Sequence, residues 1–118
     1  MKKFLAVYIG TAAAREKSGW DAISEQKRRE KQKAGMEAWK KWMEKNQKVI
    51  VDIGTPLGKT KRASVQGISD VKNDIVAYVV VQAKSHEAAA VLFEKHPHFM
   101  IFPGDSVEIM ECLPMPAM

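Results

Sequence analysis

Two short, nearly continuous apolar segments constrain the fold of this 118-residue chain more than any other feature. Residues 4–9 are Phe-Leu-Ala-Val-Tyr-Ile, and residues 75–83 contain four valines. β-Branched and aromatic side chains favour strands, and strands without polar alternation are buried on both faces. We therefore expect both segments to form the central strands of a sheet.

The first of these segments also shares features with a secretory signal. Two lysines precede residues 4–9 and three alanines follow at 12–14. Gly10 and Thr11 interrupt the apolar run, and a cleavage near residue 14 would come early for such a signal. We therefore interpret the segment as a strand.

No segment approaches the roughly 18 apolar residues of a membrane span, so we expect a cytoplasmic protein without membrane contact.

Length and composition indicate one globular domain. Apolar residues make up 46% and charged residues 28%, close to ordinary averages, and 118 residues suffice for a single core. Cys112 is the only cysteine, so no internal disulfide supports the fold. We expect one domain over residues 1–118, with 10–32 and 59–74 as loop or extension segments.

The order of the predicted elements indicates the fold class. We expect strands at 3–9, 49–53, 75–83 and 106–111, a helix from an N-cap at Asp21 to residue 46 or 47, and a second helix over 86–96. Residues 10–20 are expected to form a loop, and 59–74 a loop or small hairpin. The order β-α-β-β-α-β is typical of the ferredoxin-like α+β fold, with an antiparallel sheet and two helices on one face.

The first predicted helix has two unlike halves. Met36, Trp39, Trp42 and Met43 recur at spacings of three and four and indicate a stripe that faces the core. Residues 24–33 contain no apolar side chain, so we expect the most exposed part of the helix there.

Two helices cover only one face of a sheet whose central strands are apolar on both. A large uncovered apolar face indicates an interaction surface. We therefore expect a two-fold homodimer, sheet against sheet.

Sequence motifs for cofactors are lacking. Residues 54–60 contain Gly-Lys-Thr, but three residues separate the two glycines where a phosphate loop needs four. His96 and His98 flank Pro97 at a spacing that is not a standard metal-ligand pair. We expect neither a metal nor a cofactor.

The histidine pair marks the candidate site. His96 follows Leu92 and Phe93 at helical spacing, which leaves two interpretations: a cap on the last helix carbonyls, or an acid–base group beside a pocket. His98 either faces solvent or turns over the cleft.

Met36 and Trp39 would supply the apolar wall of this pocket. Asp52 would contribute a carboxylate if its strand presents that side chain to the helices, which a one-residue change in register reverses. We predict a cavity lined by Trp39, His96 and Met36, which takes a small molecule.

Basic residues concentrate in the first 48 positions, which carry 13 basic and 6 acidic groups. Lys27, Arg28, Arg29, Lys31 and Lys33 could contact phosphates. Two glutamates interrupt the run, however, and no aromatic residue is interleaved for base stacking. The pattern favours a solvated helix face over nucleic-acid binding.

Several segments together resemble the YCII-related proteins. They are residues 33–39 with Trp42, 51–58, 83–90, 96–99 and 104–116. The resemblance covers most of the chain and is weakest at 11–32 and 59–74. It implies a ferredoxin-like fold and a dimeric α+β barrel. It also implies that some relatives act through a His–Asp dyad, and that one branch is similar to dehalogenating lyases for aromatic substrates.

The sequence departs from that family at the residues that matter for chemistry. Gly35 stands where relatives carry the histidine, and His96 stands where they carry the aspartate before the proline. The Asp-Gly-Pro-Phe loop of another branch is absent from 59–74. Two functions therefore remain: a module that binds a small, partly apolar or aromatic molecule, or a small lyase or isomerase that uses His96 as acid–base. Nucleic-acid binding is a distant third.

Overall fold

A computed structural model describes residues 1–117 of the chain. The strands are β1 (Lys2–Ile9), β2 (Ile50–Asp52), β3 (Thr60–Ser64), β4 (Gly67–Val71), β5 (Ile75–Ala83) and β6 (Ser106–Glu111). The helices are α1 (Ala12–Ser18), α2 (Glu25–Lys45), α3 (His86–Val91) and α4 (Pro97–Met100), with a 3-10 turn at Trp20–Ala22.

Four strands form one antiparallel sheet in the order β2-β5-β1-β6. The two apolar strands β1 and β5 lie at its centre, and the shorter or more polar β2 and β6 lie at its edges, as the sequence predicts. The α+β fold with helices on one face is confirmed. β3 and β4 form a separate two-stranded hairpin, which is one of the two alternatives for residues 59–74.

The core lies between the sheet and the helices. Side chains alternate across a strand, so Phe4, Ala6 and Tyr8 of β1 share a face with Val79 and Val81 of β5. Trp39 and Trp42 of α2 pack on this face, together with Ala89 and Phe93. Complete burial of a side chain such as Phe4 contributes about 1.5–3 kcal/mol, so this one layer holds the fold together.

The predicted loop over residues 10–20 is wrong, because α1 lies there. The Thr11 hydroxyl accepts the Ala14 backbone N–H at 3.0 Å and caps the helix, and three alanines favour helical conformation. Gly19 then ends α1 in the left-handed region, at φ 73°.

The N-cap of α2 is Ser24 rather than Asp21. The Ser24 hydroxyl accepts the Lys27 backbone N–H at 3.2 Å. Asp21 instead makes an exposed ion pair with Arg15 at 2.9 Å. The helix therefore begins three residues later than the sequence predicts.

The exposed first half of α2 is confirmed, with one exception. Arg28 is half-buried and donates to the carbonyl oxygens of Ile23 at 2.6 Å and Trp20 at 3.4 Å. In the second half, Met36 is 64% exposed, so its place in the core stripe is wrong. Gly35 is buried there instead, because the Phe102 ring packs where a side chain would stand.

The predicted second helix over 86–96 is shorter than expected, and a separate short helix follows it. Ser85 caps α3, but α3 ends at Val91, and Lys95 adopts a left-handed φ of 56°. Pro97 begins α4, since its fixed φ suits the first position of a helix. His96 therefore caps the start of α4 rather than the last carbonyls of the helix before it.

The β3–β4 hairpin projects from the rest of the molecule. Its Lys61 and Asp70 make an exposed ion pair at 2.7 Å, and the side chain of Val65 is fully exposed. The radius of gyration is 16.4 Å, whereas a compact chain of this length has about 13.5 Å.

Candidate functional site

An open cavity of about 890 Å³ lies between α2 and the sheet. One wall comes from α2, the opposite wall from β5 and residues 53–56, and the floor from β1 and the segment after α3. The lining side chains are mostly aromatic or aliphatic: Tyr8, Met36, Trp39, Trp42, Met43, Ile53, Pro56, Val76, Tyr78, Val79 and Phe102, with His98, Glu37 and Lys40 among the polar ones.

Tyr8 lies at the floor of the cavity, where three other rings surround it. Its ring centroid is 5.0 Å from Trp39, 5.1 Å from His96 and 5.2 Å from His98. The alternation of β1 places Tyr8 on the helix-covered face with Phe4 and Ala6. Burial raises the pKa of its hydroxyl, so the phenol is neutral at neutral pH.

His96 lies one layer behind the lining, which corrects the expectation that it lines the cavity. Its side chain is completely buried, with the Trp39 and Trp42 rings at 4.6 and 4.8 Å. Nδ1 accepts the His98 backbone N–H at 3.0 Å, and Nε2 lies 3.3 Å from the Tyr8 hydroxyl. Burial, with the nearby His98 imidazole, lowers the pKa of His96 to about 3.

His98 lines the cavity, and its solvent-facing alternative is wrong. The side chain is buried, and Nε2 donates to the Ile9 carbonyl at 2.8 Å. Gly104 packs on its ring and leaves no room for a side chain. Burial lowers the pKa of His98, and the bond to the Ile9 carbonyl opposes that shift.

Of the other predicted residues, two line the cavity and one does not. Met36 and Trp39 lie on the wall from α2. The exposed Asp52 lies outside the lining, and its carboxylate accepts the Gly54 backbone N–H at 2.9 Å. The short Asp side chain two residues before a glycine favours this local turn, which takes the carboxylate away from the cleft.

Sequence reasoning missed Tyr8, Phe102 and the segment 53–56. The Tyr8 signal was available, because its position two residues after Ala6 places it on the face of the central strand that also carries Phe4. No local pattern indicates that Phe102 packs on Gly35.

The charged side chains that line the cavity lie at its rim. Glu37 and Lys40 are exposed and of opposite sign, whereas the floor holds neutral rings. Within residues 1–117, no three histidine, cysteine, aspartate or glutamate side chains form a group suited to a metal ion. In the same part of the chain, no helix is both long and apolar enough to cross a membrane.

Comparisons with known proteins show the fold. No family model matches the chain, and neither does any curated protein sequence. Among solved structures, the chain is similar to 5-chloro-2-hydroxyhydroquinone dehydrochlorinase from Burkholderia phenoliruptrix AC1100, in complex with 2,5-dihydroxybenzoquinone. The TM-score is 0.52 at 13% identity, over 92% of this chain and 90% of that chain. At this identity the likeness supports a related α+β fold and nothing about chemistry.

Proposed function

We propose that this protein is a YCII-related module that binds a small, partly apolar or aromatic molecule in the cavity between α2 and the sheet. The observation that carries the proposal is the cavity itself, about 890 Å³ in volume and walled by aromatic and aliphatic side chains. Pockets of this size, mainly apolar with a few convergent polar groups, are typical of small-molecule sites. The Tyr8 hydroxyl and the His98 imidazole are the polar groups at its floor.

The residues at the two positions of the family's dyad favour binding without turnover over catalysis. Gly35 stands where the resemblance places the histidine, and Phe102 fills the space above it. His96, at the position of the aspartate, is buried and neutral, and its pKa near 3 makes it a poor acid–base group at neutral pH.

The alternative is a small lyase or isomerase at the same place. The observation that favours it is the contact between the His96 ring and the hydroxyl of Tyr8, a cavity-lining group that could exchange a proton with a ligand. The similar dehydrochlorinase is an enzyme, and a common fold serves both binding proteins and enzymes. Turnover of a bound aromatic compound would favour this alternative.

The binding proposal is tested by NMR of protein labelled with ¹³C at the methionine methyl groups. Met36 and Met43 line the cavity, whereas Met1 and Met110 lie outside it and serve as internal controls. With acetophenone as the probe, we expect saturable shifts at Met36 and Met43 and none at the two controls. No shift, or equal shifts at all four, contradicts the proposal.

We also propose that the protein is a homodimer, joined through the sheet face opposite the helices. On this face Val51 and Met110 each expose more than 40% of their surface beside the half-buried Leu5 and Val80. Burying such a face removes apolar area from water, which drives association.

Sedimentation tests the dimer directly. At micromolar concentration we expect twice the mass of 13.2 kDa. Met110→Asp on the open face should yield the monomer, whereas Met100→Asp on the helix side, at similar exposure, should leave the dimer intact. A stable wild-type monomer contradicts the proposal.

A further inference from the structure

The hydrogen bonds around His96 determine which of its ring nitrogens carries the proton. Nδ1 lies 3.0 Å from the backbone nitrogen of His98 and accepts its N–H. A peptide N–H only donates, so Nδ1 has no proton of its own. The ring is therefore the neutral tautomer with its single proton on Nε2. The cap on α4 thus fixes both the charge and the tautomer of this side chain.

The tautomer in turn determines the role of the Tyr8 hydroxyl. His96 Nε2–H faces the Tyr8 oxygen at 3.3 Å, so the hydroxyl accepts this bond and its own proton points elsewhere. Within residues 1–117 that oxygen has no other hydrogen-bond partner. Tyr8 is one of the residues that line the cavity, so a molecule bound there is the acceptor that remains for this proton.

We infer that Tyr8 is the recognition group of the site, and that it donates its proton to a neutral oxygen acceptor on a flat molecule held against Trp39. This inference rests on the proposed function and deepens it by naming the ligand class: small aromatic compounds with a carbonyl or similar neutral oxygen. An unmatched donor in an apolar cavity costs free energy, so an acceptor at this point gives selectivity.

The floor carries no charged group, which favours a neutral acceptor over an anionic one. His98 Nε2–H is already committed to the Ile9 carbonyl, and among the described lining residues the one lysine, Lys40, lies at the exposed rim. Burying a carboxylate without a cationic partner is expensive. The ionisation of the two rings supports the same conclusion, because burial raises the pKa of Tyr8 and lowers that of His96, and both rings stay neutral around pH 7.

The test compares acetophenone with ethylbenzene and benzoate. Ethylbenzene has nearly the same shape and no acceptor, and benzoate adds a negative charge. One hydrogen bond between neutral groups predicts roughly fivefold tighter binding of acetophenone than of ethylbenzene. In Tyr8→Phe, which keeps the ring, this preference should vanish while the affinity for ethylbenzene stays the same.

The outcomes separate this inference from the proposed function. If both neutral probes bind equally well to the wild type, or if Tyr8→Phe keeps the preference, the inference is overturned and the binding function stands. If neither neutral probe binds, both are overturned. Tighter binding of benzoate than of acetophenone overturns the neutral ligand class.

A second measurement needs no substitution. In long-range ¹H–¹⁵N spectra of the wild type, His96 should show a protonated, pyrrole-like Nε2 and a pyridine-like Nδ1 at neutral pH. The opposite tautomer, or an imidazolium, overturns the inference even if Tyr8→Phe does not fold.

Discussion

The segment 96–104 and the β3–β4 hairpin are both short connections without a strong sequence pattern, and they differ most in how they are held. Three consecutive residues of the first, His96, Pro97 and His98, are buried against the sheet and α2. The hairpin, in contrast, has no fully buried residue within the described part of the chain, and its Lys61–Asp70 ion pair is exposed. Specific packing therefore concentrates at the connection that carries the floor of the cavity.

The reason for the difference lies in individual side chains rather than in composition. In the segment 96–104, the absence of a side chain at Gly104 makes room for the His98 ring, which bonds to the Ile9 carbonyl. In the hairpin, Gly67 turns the chain at φ 102°, and a side chain there would meet no other atom. The first connection is therefore fixed by tight side-chain contacts, whereas no such contact surrounds Gly67 in the second.

The largest effect is expected from Gly104→Ala. The new Cβ would overlap the imidazole and the backbone carbonyl of His98, so the turn must move or His98 must leave its place. We expect a loss of about 3 kcal/mol in the free energy of unfolding, since overpacking against backbone relaxes poorly. Urea denaturation measures this loss. Gly58→Ala is the matched control, because nothing lies within 4 Å of a Cβ there. Equal stability of the two variants would contradict the account of Gly104.

The sheet could be predicted from the sequence because its signals are local. Continuous apolar composition identified β1 and β5, and their central placement followed from it. The end of the second helix was wrong, because α3 ends at Val91 and the left-handed turn at Lys95 has no glycine that would indicate it in the sequence.

The candidate site was predictable only in part, for a related reason. Met36 and Trp39 line the wall of the cavity, and the histidine pair lies in the segment that forms part of its floor. The sequence did not predict which side chains reach the cavity surface. His96 lies behind Tyr8, and His98 faces the cavity. That order depends on tertiary contacts between residues nearly ninety positions apart, such as the bond from His96 to Tyr8.

A smaller loss of stability is expected at acidic pH, and it also arises in the segment 96–104. The pKa of His96 is lowered to about 3, so below the unfolded value of 6.5 the unfolded chain binds more protons than the native one. The stability contributed by the neutral ring is complete above pH 6.5 and is lost as the pH falls towards 3. Between pH 7 and 5 we expect a loss of about 2 kcal/mol.

Urea denaturation at several pH values measures this dependence. His96→Asn retains a side chain that can cap α4 and removes the titrating group. We expect this variant to be less stable at pH 7 but to lose less stability between pH 7 and 5. The same pH dependence in both proteins would show that His96 is not responsible for it.

The smallest effect is expected in the hairpin, where Val65 and Ile68 expose 103% and 76% of their surfaces. Replacing either by serine removes no buried contact, so the free energy of unfolding should change by less than about 0.5 kcal/mol. Lys61→Ala should have an equally small effect, since an exposed ion pair contributes little.

Thermal unfolding at two protein concentrations distinguishes the reasons for any larger loss of stability in these variants. A loss that appears only at the higher concentration would place the hairpin against the partner in the proposed dimer, and a loss at both would show that the hairpin packs on its own chain.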